Sequence, residues 1–175
     1  MLVTTHLFES VQPVREIRNR SEVYIVKDKK LLVGVGFHGN RPSLPGGGIE
    51  GNEKPETAAE REALEEVGVK IKIIKKLKIY SFDYTKVYGP WETLPKELTK
   101  WNSLGMKCHP FLAEFVTEDK SLFNSVKDGR EYKWMSYKEA IKAFTDLMHK
   151  EHWNGIRFQC ILDVIKQLKK ENIIQ

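Results

Sequence analysis

Apolar positions in this chain follow two periods and, in places, none. Val23 to Val26 and Leu31 to Phe37 are β-branched or apolar runs split by Lys27-Asp28-Lys29-Lys30, which predicts two strands and a tight turn. Val69 to Tyr80 alternates Ile71, Ile73, Leu77 and Ile79 with lysines, and a period of about two predicts a strand or a hairpin. Phe111 to Val116 is another strand candidate, and Tyr132 to Met135 a short one. Tyr137 to Met148 and Trp153 to Lys170 carry a helical period instead. In the second, Ile156, Cys160, Val164 and Leu168 recur every four residues, and Ile161 and Ile165 widen the stripe.

Between these elements lie segments of other kinds. His38 to Asn52 is rich in glycine and proline and reads as a loop. Pro55 to Val67 predicts a helix: Pro55 suits the first position, Glu56 complements the positive end of the dipole, and Gly68 stops it. Tyr84 to Lys107 shows no clear period, and a long irregular stretch inside a compact domain is more often functional than idle. No repeat or low-complexity linker interrupts residues 1–175, so a single domain is expected. Strand, strand, loop, helix, strands, helices is the order of an α/β domain with a mixed sheet between helical layers.

At 175 residues, 41% hydrophobic and 30% charged, the chain matches ordinary globular proteins. Its uncharged apolar runs, such as Leu31 to Val35, fall far short of the roughly 20 residues that cross a bilayer, so no membrane partner is expected. Residues 1–13 contain Glu9 and lack a basic start followed by an apolar stretch, so no secretory signal is read. Cys108 and Cys160 cannot form a disulfide framework and fit a reducing compartment, with a cytoplasmic location as the default. Lysine and arginine outnumber aspartate and glutamate by 29 to 24, which favours anionic partners only weakly. Nothing in the pattern specifies an oligomeric state.

Chemistry concentrates between Gly47 and Val69. Glu62, Glu65 and Glu66 are three and four apart, so on a helix they share one face and repel unless something neutralises them. Clustered carboxylates bind hard cations such as Mg²⁺ or Mn²⁺, with phosphate oxygens and water completing the shell. Pro45-Gly46-Gly47-Gly48 supplies backbone amides that can approach an anion beside the helix start. Ala59, Ala63 and Val67 lie beside the carboxylates and are expected to pack the helix on the sheet. Arg61 reads as an anchor, pairing with a carboxylate such as Glu53.

The full run, Gly47-x5-Glu53-x7-Arg61-Glu62-Ala63-x-Glu65-Glu66-x-Gly68-Val69, resembles the Nudix box. Fixed residue types at ordinary usage coincide in this way on the order of once in 10⁸ random positions. The resemblance implies a Nudix-type α/β/α sandwich and metal-dependent hydrolysis of a diphosphate linkage in a nucleotide or nucleoside polyphosphate. It implies Glu62, Glu65 and Glu66 as catalytic metal ligands, and structural or outer roles for Glu53 and Arg61. Gly46 is assigned to the metal as well, and Arg41, Gly46 and Gly47 to the substrate. Lys54 stands where a small hydroxyl residue often caps the helix in this family.

Outside the box, Glu131 lies where some family members carry a catalytic glutamate, here on an expected loop before Trp134. Glu62 and Glu131 are the two candidates for the general base. Tyr84, Tyr88, Trp91 and Trp101, interleaved with Lys86, Lys96, Lys100 and Lys107, suit stacking of a base and binding of phosphate; plain packing is the competing reading. Leu94 to Leu98 resembles a segment of the dinucleoside-polyphosphate and RNA 5′-pyrophosphate members. Trp153-Asn154 with Arg157 faintly resembles the dihydroneopterin-triphosphate members. His149 and His152 with Cys160, or Cys108-His109, match no closed zinc site. The alternatives to a nucleotide pyrophosphohydrolase are therefore an RNA 5′-end or dinucleoside-polyphosphate hydrolase, or a Nudix-fold module that binds nucleotide or RNA without turnover.

Overall fold

The computed structural model describes residues 15–37, 41–99, 102–123, 131–148 and 155–175. Strand β1 (Ile17–Lys27) and strand β2 (Lys30–Phe37) are joined by Asp28 and Lys29, whose φ angles of 48° and 58° are both left-handed. Consecutive left-handed residues are the hairpin turn whose twist matches the flanking strands. The two strands pair only beside that turn, at Val26↔Leu31 and Lys27↔Lys30, and then separate. From there β1 runs parallel to β6 (Gly105–Glu118), from Ile17↔Gly105 to Val26↔Glu114.

On its other edge β1 takes the glycine loop. The Ser21 amide donates to the Gly47 carbonyl (3.0 Å), the Val23 amide to Pro45 (2.9 Å), and the Ile49 amide to Asn19 (3.2 Å). The predicted loop is thus pinned like a strand, and its early part contains β3 (Arg41–Ser43), paired with β2. A fixed backbone here matters, because this loop faces the box helix.

The alternating run 69–80 is neither one strand nor a hairpin. It forms β4 (Val69–Lys76) and β5 (Tyr80–Asp83), which pair antiparallel with successive stretches of β6. The short β7 (Glu131–Met135) pairs with β2. The box helix is α1 (Pro55–Glu62), continued by a π-helical turn over Ala63–Val67. Lys54 makes no side-chain cap, and Gly68 (φ 74°) ends the turn. Helices α4 (Tyr137–Met148) and α5 (Gly155–Lys170) follow β7; Trp153, Asn154, His149 and His152 lie outside the described residues.

Alternation along the strands fills two cores. Val23, Ile25, Phe111 and Ala113 pack against Ala59 and Ala63 on the α1 side. Tyr24, Val26 and Leu112 pack against Phe144, Ile161, Ile165 and Leu168 on the α4–α5 side. The mixed sheet between helical layers is the expected α/β architecture. On α5 the buried stripe is Phe158, Ile161, Leu162, Ile165 and Leu168, rotated from the expected one; Ile156, Cys160 and Val164 are only half-buried. No described helix is long and apolar enough to cross a membrane.

The stretch from Tyr84 departs most from expectation. It holds α2 (Tyr84–Tyr88), a 3₁₀ turn (Trp91–Thr93) and α3 (Lys96–Thr99) before β6 begins. Tyr84, Leu94 and Leu98 form a third small core, with Phe82, Tyr88 and Trp91 packed on it.

Candidate active site

Three fully buried alanines, Ala58, Ala59 and Ala63, let α1 lie close to the sheet, which fixes its carboxylates relative to the glycine loop. Gly47 is pressed against Glu62: a Cβ there would strike the Glu62 carboxylate. Gly46 has a φ of 150°, and a Cβ on it would strike the Ser21 carbonyl. Only glycine permits that approach. The Gly46 amide donates to Glu66 Oε2 at 3.0 Å, so helix and loop are tied at the point where both supply oxygen donors.

Arg61 binds this corner together. Its Nη2 donates to Glu53 Oε1 (2.8 Å) and to the Gly48 carbonyl (3.0 Å), and its Nε to Glu53 Oε2 (3.3 Å). Its Nη1 reaches Glu62 (3.0 Å) and Glu65 (3.2 Å). Glu53 is held below the usual carboxylate range chiefly by its hydrogen bond from Arg61. Burial pushes Glu62 above that range, with Arg61 opposing the shift. Glu65 is more open to solvent, its side chain 43% exposed.

Two expected participants stand elsewhere. Glu131 is not on a loop: it opens β7, opposite Val35. Its side chain is 72% exposed and pairs with Lys133 at 3.1 Å. Tyr132 and Trp134 pack on the α1 side, so by alternation Glu131 points to the other face. Its neighbour Tyr132 makes the link instead, donating to Glu66 Oε2 at 3.4 Å. Tyr84 is buried in the third core, its ring 5.4 Å from that of Phe82. It is therefore a packing residue and offers no open face for a base. Trp91 is half-buried under the Arg15 guanidinium, 4.4 Å from its ring centre. Arg41 begins β3 across from Phe37; Trp101 and Lys100 lie outside the described residues.

The face of β1 turned from α1 carries residues that sequence reasoning passed over. Arg18, Arg20, Glu22 and Tyr24 are spaced by two and share that face. Arg20 Nη2 donates to the Gly46 carbonyl at 2.9 Å. Glu22 is fully buried; its carboxylate accepts from Arg157 Nη2 (2.9 Å), Tyr80 (3.1 Å) and Tyr24 (3.2 Å). Burial pushes the neighbouring Cys108 thiol up to about 12, so it stays protonated and inert. The charged row at period two, running into an apolar strand, was the signal that could have found Glu22.

Could these residues hold a divalent ion? The donors are all hard oxygens: the carboxylates of Glu62, Glu65 and Glu66 and the carbonyl of Gly46. Among the described residues no three His, Cys, Asp or Glu side chains are already gathered as a cage. The box carboxylates are instead engaged by Arg61, the Gly46 amide and Tyr132, and the Gly46 carbonyl by Arg20. Guanidinium groups hold Glu62, Glu65 and the Gly46 carbonyl, and hard oxygen donors of this kind are those that suit Mg²⁺ or Mn²⁺.

Comparison with known proteins identifies the family. The family model described as NUDIX domain matches residues 14–157. An RNA pyrophosphohydrolase of Wolbachia sp. subsp. Brugia malayi (strain TRS) is 39% identical over 99 residues, 53% of this chain and 57% of that protein. Diphosphoinositol polyphosphate phosphohydrolase 3-alpha of Mus musculus is 29% identical over 120 residues, 67% of this chain and 60% of that one. The chain thus spans less than two thirds of the length of these curated relatives. A NUDIX hydrolase structure from Nitrosomonas europaea has the same fold, with TM-score 0.55 and 19% identity over 71% of this chain and 76% of that one.

Proposed function

This chain belongs to the NUDIX family, and from that membership and the geometry above we propose that it is a divalent-metal-dependent pyrophosphohydrolase. Its substrate class is a nucleotide or nucleoside polyphosphate. The observation that carries the reading is the interlock of Gly46 with Glu66 and Gly47 with Glu62, which gathers oxygen donors from loop and helix at one corner. Glu62, Glu65, Glu66 and the Gly46 carbonyl would hold the metal. Such an ion, when bound, lowers the pKa of water and neutralises charge on phosphate oxygens.

The chain's own residues do the rest. Arg61 and Glu53 keep the glycine loop and the helix in register. Tyr132 and the Gly46 amide orient Glu66. The proton acceptor comes from the helix, where Glu62 is buried against Gly47 at the corner of loop and helix. Glu131, exposed and paired with Lys133, takes no part. Glu131→Gln accordingly leaves kcat within about threefold of wild type, whereas loss of a general base costs about 10²–10⁴. A hundredfold drop in kcat for that variant would return the base to β7.

A second reading, RNA 5′-end hydrolysis, is favoured by the Wolbachia relative, named as an RNA pyrophosphohydrolase. A phosphate-release screen over dNTPs, ADP-ribose, NADH, dinucleoside polyphosphates and triphosphorylated RNA separates the two. Release on any of them should stop with EDTA and return with Mg²⁺ or Mn²⁺. Turnover that persists in metal-stripped protein would sink the mechanism, and silence across the panel would leave a binding module.

A further inference from the structure

The turn between β1 and β2 carries a charge arrangement that weakens the sheet. Lys27 and Lys30 are paired directly across the hairpin, and like charges opposed on adjacent strands are destabilising. Among the described residues neither ammonium makes an ion pair. The nearby carboxylates are engaged elsewhere: Glu131 pairs with Lys133 at 3.1 Å. Glu139 Oε2 accepts from the Ser136 amide and hydroxyl, both at 2.7 Å, and feels Lys30 through space. Asp28 is the one carboxylate that shares a cleft with the two lysines among the described residues.

That cleft has an aromatic wall. Lys27 Nζ lies 4.3 Å from the centre of the Phe115 ring, and Phe115 meets Trp134 edge-on with ring centres 5.7 Å apart. Trp134 is half-buried and, with Lys27, Asp28 and Lys30, lines an open space of about 170 Å³. Pockets that enclose a whole small molecule measure about 300–1,000 Å³, so this one admits a single planar ring system and leaves the rest of its ligand outside. Two cations beside one indole match an anion that carries rings: the indole stacks a base, and the ammonium groups take the phosphates next to it. An acidic protein segment would satisfy the lysines and make no use of the indole. A duplex keeps its base faces within its own stack, so the strand must be unpaired.

We propose that this cleft is a docking site for single-stranded nucleic acid, with one base on Trp134 and its flanking phosphates between Lys27 and Lys30. It lies outside the box. On β7, Trp134 stands two residues, about 7 Å, beyond Tyr132, whose hydroxyl donates to Glu66. The binding follows from the cleft alone and holds whether or not the box hydrolyses any substrate.

The test is fluorescence anisotropy of a labelled hexauridylate with a 5′-hydroxyl end, titrated with the full chain in EDTA across a salt series. Each phosphate contact to a single strand adds about −0.7 to the slope of log affinity against log salt. Lys30→Gln should therefore make the slope shallower by about 0.7, whereas Lys166→Gln, on the outer face of α5, should change it by less than about 0.2. Trp134→Leu should weaken binding at least about fivefold with its slope unchanged, because it removes a stack and no charge. Lys30 is exposed, so its variant decides the matter even where Trp134→Leu folds poorly. Absence of binding by wild type overturns the proposal, as does an equal loss of slope in Lys166→Gln or wild-type affinity in a folded Trp134→Leu. A hexaglutamate peptide that competes as well as unlabelled hexauridylate also overturns it and assigns the cleft to an acidic protein segment. The probe holds no diphosphate and no metal is present, so failure of the hydrolytic reading in the phosphate-release screen is a separate result.

Discussion

Glu66→Gln should lower kcat by about a hundredfold or more, equivalent to about 2.7 kcal/mol of lost transition-state stabilisation, while the fold survives. The geometry makes this substitution unusually clean. Both the Gly46 amide (3.0 Å) and the Tyr132 hydroxyl (3.4 Å) donate to one oxygen, Oε2. A glutamine can place its carbonyl oxygen there and keep accepting both bonds. The other position becomes an amide nitrogen, which donates hydrogen bonds and does not ligate a hard cation. The helix and the loop therefore remain tied while the negative charge is lost. Two measurements check this: kcat across a Mg²⁺ series and the melting temperature in EDTA. Near wild-type turnover at saturating metal would refute the ligand assignment. A melting temperature lowered by more than about 4 °C, roughly 1 kcal/mol or more at this chain length, would show that the variant had lost the tie as well.

What could be read from the chain beforehand follows the range over which each interaction acts. The box is contiguous from Gly47 to Val69, so its spacing is visible without knowing the fold. The hairpin at Asp28-Lys29 and the helix stop at Gly68 are equally local, set by the backbone of a few residues. Tyr84 to Thr99 was opaque for a related reason. Its helical segments are only three to five residues long, and a period of 3.6 cannot show itself in one turn. Aromatic and lysine residues there looked like a base-stacking surface, but the rings had each other to pack against. Glu131 was placed on a loop because nothing in Glu131-Tyr132-Lys133-Trp134 says which alternate side chains face α1. That depends on the pairing of β7 with β2, a contact about 100 residues apart in sequence. The widened turn at Ala63–Val67 also escapes a reading that assumes regular helical spacing. Glu22 and Arg157 form the extreme case, 135 residues apart.

That pair sets the second large effect. Arg157→Met should destabilise the protein by about 3–5 kcal/mol, the usual result of removing one partner from a buried ion pair. Glu22 has no exposed side-chain surface and Arg157 only 16%, so water cannot replace the lost guanidinium. The Tyr24 and Tyr80 hydroxyls would remain, but two neutral donors do not offset a buried charge. At about 2–4 °C per kcal/mol for a chain of this size, the melting temperature should fall by about 6–20 °C. Glu22→Gln in the Arg157→Met background should restore more than half of that loss, because a neutral amide no longer buries an unpaired charge and can still accept from both phenols. The rescue separates the charge explanation from simple loss of packing around a long side chain, which the second substitution would not repair. It also assigns a role to α5 that its apolar stripe does not suggest. The first turn of α5 is clamped through Arg157 to the same β1 face that carries Arg20, so the helix braces the strand beside the glycine loop. Thermal melts of wild type, both single variants and the double variant form the cycle. A single Arg157→Met variant within about 1 kcal/mol of wild type would mean that the pair is solvated in solution and that α5 is held by its apolar face alone.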